Sequence, residues 1–178
     1  VLHHIQDLYL EKSQFKIEFT RTEGNQSGID QVEFLISMNP GEPLRPLIKV
    51  ASGGELSRLM LGLKVVFNHL QLIETVIFDE IDAGVSGRVA SAIGEKMVQM
   101  SEYAQVFSVT HLAQVAAYGK NHYVVSKLQS DNHTQTQIKA LDHTSRVEEI
   151  STILSGVHTE SSLKAAEELL IRAKQSYD

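Results

Sequence analysis

The stretch TVIFDEIDAGVSG, residues 75–87, decides how the rest of the chain is read. A short run of strand-forming residues, Thr75 to Phe78, is followed directly by two acids, Asp79 and Glu80. A turn carrying Asp82, Gly84, Ser86 and Gly87 comes next. A brief, nearly continuous apolar run bounded by turn residues predicts a strand covered on both faces, as in parallel sheets. Carboxylates at the C-terminal end of such a strand lie where open α/β sheets bind ligands. An aspartate there can hold Mg²⁺, and a neighbouring glutamate can accept a proton from an attacking water. Strands that end in solvent also end in acids, so the pair alone is weak evidence.

Working outward, the pattern after residue 50 alternates. The periodicities predict a helix over 53–70, a strand over 75–79, a helix over 86–101 capped by Ser86, and a strand over 105–109. A short helix over 112–118, strands over 122–127 and 135–141, and helices over 146–155 and 160–176 follow. Strands alternating with helices predict an α/β layer structure. The second core strand, VFSV, ends in Thr110-His111, and a histidine there can hydrogen-bond a phosphate or a water. The chain has eight histidines, so only its place at a strand end singles out His111.

Before residue 50 the signals differ. Residues 1–12 predict a short helix with Leu2, Ile5, Leu8 and Tyr9 on one side. FKIEFT (15–20) and QVEFLIS (31–37) predict a hairpin across a loop at 22–28. NPGEPLRP (39–46) holds all three prolines and reads as a loop.

That loop delivers the chain to ASGGELSRLMLGLK, residues 51–64. Ser52 and Glu55 have the spacing of a capping box. Leu56, Leu59, Met60, Leu63, Val66, Phe67 and Leu70 recur at helical spacing as one apolar face. Gly53 and Gly54 stand apart from this pattern. Glycine in a helix costs about 1 kcal/mol relative to alanine, but it lets another molecule approach the free N–H groups of the first turn. Those groups and the helix dipole favour phosphate. An ordinary capped helix with a flexible entry explains the stretch about as well.

The composition sets bounds. A chain of 178 residues, 42% hydrophobic and 21% charged, fits one domain with a real core. With no cysteine it has no disulfides, no thiolate metal site and no cysteine nucleophile, which is compatible with a reducing cytoplasm. No apolar run is long enough for a membrane helix, so no membrane partner is expected. The net charge of −6 does not advertise nucleic-acid binding. Residues 120–146 are mildly basic and read as a solvated surface.

Taken together, S-G-G-E, then an apolar strand with D-E and an Asp-containing turn, then T-H resemble the C-terminal half of an ABC-type ATPase head. ASGGELSR resembles the signature motif, TVIFDE the Walker B motif, IDAGVSG the D-loop and VTH the switch-histidine strand. NPGEPLRPLIKVASGGELSRLMLGLK with FDEIDAGVSG closely resembles the SMC-like branch, and its bacterial DNA-repair members in particular. The resemblance runs from about residue 15 to the C-terminus. It implies a mostly parallel sheet flanked by helices, with an N-terminal β-hairpin and a coiled-coil stub: residues 1–14 as the end of a coiled-coil helix and 15–178 as the C-terminal lobe of the head.

The resemblance also implies roles, with ATP and Mg²⁺ as the ligands. Asp79 would help hold Mg²⁺, Glu80 would polarise the hydrolytic water, and His111 would sense the γ-phosphate. Asp82 would communicate between two heads. Ser52, Gly53, Gly54 and Glu55 would face the ATP of the opposite head in a dimer with a second copy. DNA is implied as a partner by the resemblance only, in double-strand break repair in the bacterial cytoplasm. One departure matters: no G-x-x-x-x-G-K-[ST] phosphate loop occurs in the chain. In SMC-like proteins that loop lies in an N-terminal lobe beyond a long coiled coil. The expectation is therefore a C-terminal lobe that needs the N-terminal lobe and does not hydrolyse ATP alone. A transporter nucleotide-binding domain and a non-hydrolysing assembly head are the alternatives; intact Glu80 and His111 weigh against the second.

Overall fold

The computed structural model describes residues 1–49, 53–79, 81–82, 84–130 and 133–177. Helix α1 (Leu2–Gln6) leads into a long antiparallel hairpin, β1 (Gln14–Asn25) and β2 (Gly28–Ser37). A two-residue strand, β3 (Arg45–Pro46), pairs on the free side of β2, an edge position that tolerates a residue without an N–H. A 3-10 turn over Leu47–Lys49 precedes α2 (Gly53–Gln71). Then come β4 (Thr75–Asp79), α3 (Gly87–Ser101), β5 (Gln105–Val109) and α4 (Ala113–Ala116). A second hairpin, β6 (Tyr123–Ser130) and β7 (His133–Ala140), is followed by α5 (His143–Ser155) and α6 (Glu160–Lys174). β4 and β5 pair in parallel, from Thr75 opposite Gln105 to Asp79 opposite Val109. This is the expected α/β architecture; among the described residues its parallel part is this one strand pair.

Three apolar clusters form the core, and two helices join them. Helix α2 gives Leu59 and Leu63 to a cluster with Ile5, Leu10, Ile36 and Met38. It gives Leu61 and Val65 to a second cluster with Phe78, Ile93 and Met97. The sequence predicted a single face; instead two sides are buried, while Met60 and Leu70 remain exposed. Helix α3 likewise passes Val98 to a third cluster with Tyr118, Ile150 and Ala166.

Several local expectations are revised. Residues 22–25, predicted as loop, continue β1, and the turn is confined to 26–27. Backbone ladder bonds need no apolar side chains, so this polar arm carries no burial signal. The Asn25 side chain accepts the Ser27 N–H at 2.7 Å, and Gly28 takes φ +120°. Helix α1 stops at Gln6, and the chain reverses at Tyr9, whose φ is 62°. Ile5 and Leu8 are buried as expected, whereas Leu2 and Tyr9 are exposed. Ser86 occupies the N-cap position of α3 but makes no side-chain cap bond.

The N-terminal segment is seated by a close approach and by charge. A Cβ on Gly62 would lie 3.2 Å from Ile5 Cγ1, so glycine lets α1 cross α2. Buried Lys96 donates to Asp7 Oδ2 at 2.6 Å and to Gln99 Oε1 at 3.1 Å, with His4 Nδ1 at 3.3 Å. Hydrogen bonding from Lys96 holds the Asp7 carboxyl below its ordinary value. Burial, then the Lys96 charge, holds the His4 imidazole below its own. Both groups bind protons less readily in the folded chain than in the unfolded one. Their contribution to stability is fully present above about pH 6.5, the ordinary histidine value. It falls as pH drops through the histidine range, and again through the carboxylate range.

Two predictions follow from this packing. In urea unfolding of the chain at a series of pH values, His4→Gln should flatten the loss of stability below about pH 6.5, and Asp7→Asn the further loss near pH 4. Gly94 sits in α3 where a Cβ would lie 2.6 Å from Tyr118 Cγ. Gly94→Ala gains about 1 kcal/mol of helix propensity but overpacks a buried ring at a cost of about 1–3 kcal/mol or more. Its melting temperature should fall, and Gly94→Ala with Tyr118→Leu should recover most of the loss.

Candidate functional site

The site begins with the register of β4 and β5. Asp79 is opposite Val109, so both strands leave the sheet at one level. Asp79 is exposed at that edge. The chain then folds back: Ile81 and Asp82 are buried, and the Val85 N–H bonds the Asp82 carbonyl at 3.2 Å. Gly84 follows with φ +73°, a conformation that favours glycine.

Asp82 is fully buried and reaches the residues that follow β5. Its Oδ2 accepts a hydrogen bond from the Thr110 hydroxyl. Thr110 Oγ1 in turn accepts the Leu112 N–H at 3.0 Å. Among the described residues Asp82 Oδ1 has no hydrogen-bond partner, and His111 Nδ1 lies 3.9 Å from it. The His111 side chain itself is 75% exposed. The structure thus joins two predicted site residues, Asp82 and His111, through Thr110.

Helix α2 forms the other wall. It starts at Gly53, as expected, with Gly54 and Glu55 in its first turn. Leu56, Ser57 and Met60 line a groove with Ile77, Phe78, Asp79 and Ile81, which brings Asp79 beside the first turns of α2. Glu55 lies on the other side, lining a concavity with Arg58, Tyr9, Lys12 and Asn39. It is therefore not gathered with Asp79. The expected roles of Ser52 and Glu80 fall on residues outside those described.

Among the described residues no group of three or more His, Cys, Asp or Glu side chains is gathered to hold a metal ion. Mg²⁺ in nucleotide sites keeps several waters and takes one or two carboxylates plus substrate phosphates. The exposed Asp79 carboxylate, beside a helix N-terminus that favours phosphate, fits an ion arriving with a nucleotide.

Two residues that sequence reasoning gave no role emerge here. Thr110 was visible only as the neighbour of His111. Arg58 donates from Nε to the Gly54 carbonyl at 3.3 Å and from Nη1 to the Leu8 carbonyl at 3.0 Å. It ties the glycine turn to the N-terminal segment 50 residues away in sequence, and spacing alone carries no signal of such a contact.

No protein-family model matches the chain. The chain is 48% identical over 169 residues to the DNA repair protein RecN of Halalkalibacterium halodurans, covering 92% of this chain and 30% of that protein. It is 45% identical over 188 residues to RecN of Bacillus subtilis (96% and 33%), and 44% identical over 170 residues to RecN of Vibrio cholerae (94% and 31%). The chain thus spans about a third of the length of these relatives. Among solved structures, the Smc head domain with a coiled coil and joint from Pyrococcus yayanosii superposes with a TM-score of 0.64 at 18% identity, over 97% of this chain and 28% of that one. A structure from work on ATP-driven dimerization and DNA stimulated activation of SMC ATPases gives 0.56 at 14% identity, over 86% and 93%. At these identities the likeness is one of fold.

The Arg58 contacts yield a prediction. Hydrogen bonds from a charged donor are worth about 1.5–3 kcal/mol, so Arg58→Ala should lower unfolding stability by about that amount. It should also speed amide exchange at the end of the N-terminal segment. Arg58→Lys should recover less than half, because one ammonium cannot reproduce the two diverging N–H bonds.

Proposed function

We propose a function from the chain's family: the chain belongs to the family of the DNA repair protein RecN and matches its C-terminal part. In this reading it forms one lobe of an SMC-like head that hydrolyses ATP, pairs with a second copy around the nucleotide, and acts in DNA double-strand break repair. Residues 1–14, of which Leu2–Gln6 is helical, are then the segment where the coiled coil joins the head, and 15–178 the C-terminal lobe, working in the bacterial cytoplasm. The observation that carries the proposal is the common edge of β4 and β5, where Asp79 stands beside the first turns of α2 and Asp82 lies next to His111.

Each residue has a task in this reading. Gly53 and Gly54 leave the N–H groups of the α2 N-terminus open to the γ-phosphate held by the opposite head. Ser52 and Glu55 flank that turn. Glu80, next along the chain from Asp79, accepts the proton of the attacking water. His111, exposed on its strand end, donates to a γ-phosphate oxygen. Asp79 would hold Mg²⁺, which when bound with ATP neutralises charge developing on the phosphate oxygens.

The phosphate loop that would cradle this ATP is not in the chain, so an N-terminal lobe is a required partner. Surface character supports such a partner: Ile77, Phe107 and Val109 are exposed on one face of the parallel pair. The sequence predicted that these strands would be covered on both faces; among the described residues only one face is. DNA as a partner rests on the relatives, since a net charge of −6 gives it no support.

The test uses the full-length protein. ATP hydrolysis should rise more than linearly with enzyme concentration, and the chain of residues 1–178 alone should show no Mg²⁺-dependent turnover. Ser52→Arg and Glu80→Gln should each abolish turnover while ATP still binds. Turnover linear in concentration and indifferent to Ser52 would remove the two-headed site.

A further inference from the structure

We infer that Asp82 is the positioning residue for His111, fixing the main chain on both sides of it through Thr110 and orienting its imidazole with the remaining carboxylate oxygen. The inference rests on the proposed ATPase reading and deepens it at one residue. It starts from the register. Because Asp79 is opposite Val109, the chains leaving β4 and β5 run side by side, and the turn at 81–82 brings Asp82 under Thr110. Asp82 is fully buried, so its carboxylate is not available to touch a second copy of the chain directly.

One half of the carboxylate fixes backbone. Thr110 donates to Oδ2, and the Thr110 oxygen accepts the Leu112 N–H at 3.0 Å. Residues 110 and 112 are thereby held, and His111 lies between them.

The other half is unfinished. Oδ1 is buried and has no hydrogen-bond partner among the described residues. A buried acceptor left without a donor is costly, more so when it carries charge. The nearest candidate is His111 Nδ1 at 3.9 Å. That is beyond hydrogen-bond reach, which ends near 3.2 Å for such a pair, but within a small swing of an exposed ring. When the ring turns, Nδ1–H donates to Oδ1 and the orientation of the ring is set; with both nitrogens carrying hydrogen, Nε2–H is then the donor offered to an incoming phosphate oxygen. A carboxylate that orients a histidine in this way acts through it and does not touch substrate. The communicating role expected of Asp82 then runs through His111: whatever moves the turn after β4 moves the imidazole after β5.

The experiment measures kcat and KM for ATP in the full-length protein, for Asp82→Asn, Thr110→Val, Thr110→Ser and His111→Ala, and for the first two in the His111→Ala background. Misplacement of a reacting group by about 1 Å can cost about a hundredfold in rate. Asp82→Asn and Thr110→Val are accordingly expected to lower kcat by about ten- to a hundredfold, with KM within about twofold. Thr110→Ser, which keeps the hydroxyl, should restore most of the kcat lost in Thr110→Val. In the His111→Ala background neither substitution should cost anything further. Equal losses with and without His111 would overturn the inference, as would a change confined to KM, while leaving the ATPase reading intact. A wild-type protein without ATP turnover would overturn both. If Asp82→Asn unfolds the protein, the Thr110 pair alone decides, since Val and Ser differ there by the hydroxyl that bonds Asp82.

Discussion

The alignment of two short strands governs this lobe. Side chains alternate along a strand, so a shift of one residue in β4 would turn Phe78 out of the core and Asp79 into it. The buried Phe78, packed with Ile93 and Met97 from α3, holds the register against that shift. With the register fixed, Asp79 stands at the rim, the turn after it lies under Thr110, and His111 projects beside it. The chemistry at the edge therefore depends on apolar packing one residue back in the sequence.

Buried and partly buried polar groups do the rest of the positioning, and they do it between segments far apart in the chain. Asp82 joins the ends of β4 and β5. Lys96 joins α3 to the N-terminal segment through Asp7. Arg58 joins the first turn of α2 to the same segment through the Leu8 carbonyl. Ion pairs with a buried member add little net stability because desolvation offsets much of the attraction. Their effect here is on placement: the N-terminal segment is tied to the two helices, α2 and α3, that flank the parallel pair. Movement of that segment and movement of the glycine turn are mechanically linked through Arg58.

The sequence made the order and type of elements after residue 50 legible because burial imprints a period on helices and apolar runs on strands. Strand β4 and strand β5 were read at their observed bounds for that reason. Where burial left no imprint the reading failed: polar residues 22–25 continue β1 across a shift in its pairing with β2, and α1 ends at Gln6, before the positive φ of Tyr9. The second buried side of α2 was left out of the predicted face, since Leu61 and Val65 face a cluster contributed by residues far along the chain. The candidate site divides in the same way. Asp79 and His111 were visible as strand-end residues. The bond that unites Asp82 with Thr110, 28 residues apart, was not, because no local pattern encodes it.

The two-sided apolar character of β4 and β5 joins fold to function. Their sequence calls for cover on both faces, and this chain provides one cover, through Phe78 and the residues packed beneath it. The open face carries Ile77, Phe107 and Val109, and alternation places Asp79 on that same face. Burying apolar surface contributes about 25 cal/mol per Å², so these exposed side chains favour association with a complementary surface. In the proposed head that surface belongs to the lobe bearing the phosphate loop. Packing it over Ile77 and Val109 would bring its edge alongside Asp79. The burial that completes the sheet and the assembly that completes the nucleotide site would then be a single event, which explains why a carboxylate ends a strand whose neighbouring residues are left apolar and uncovered.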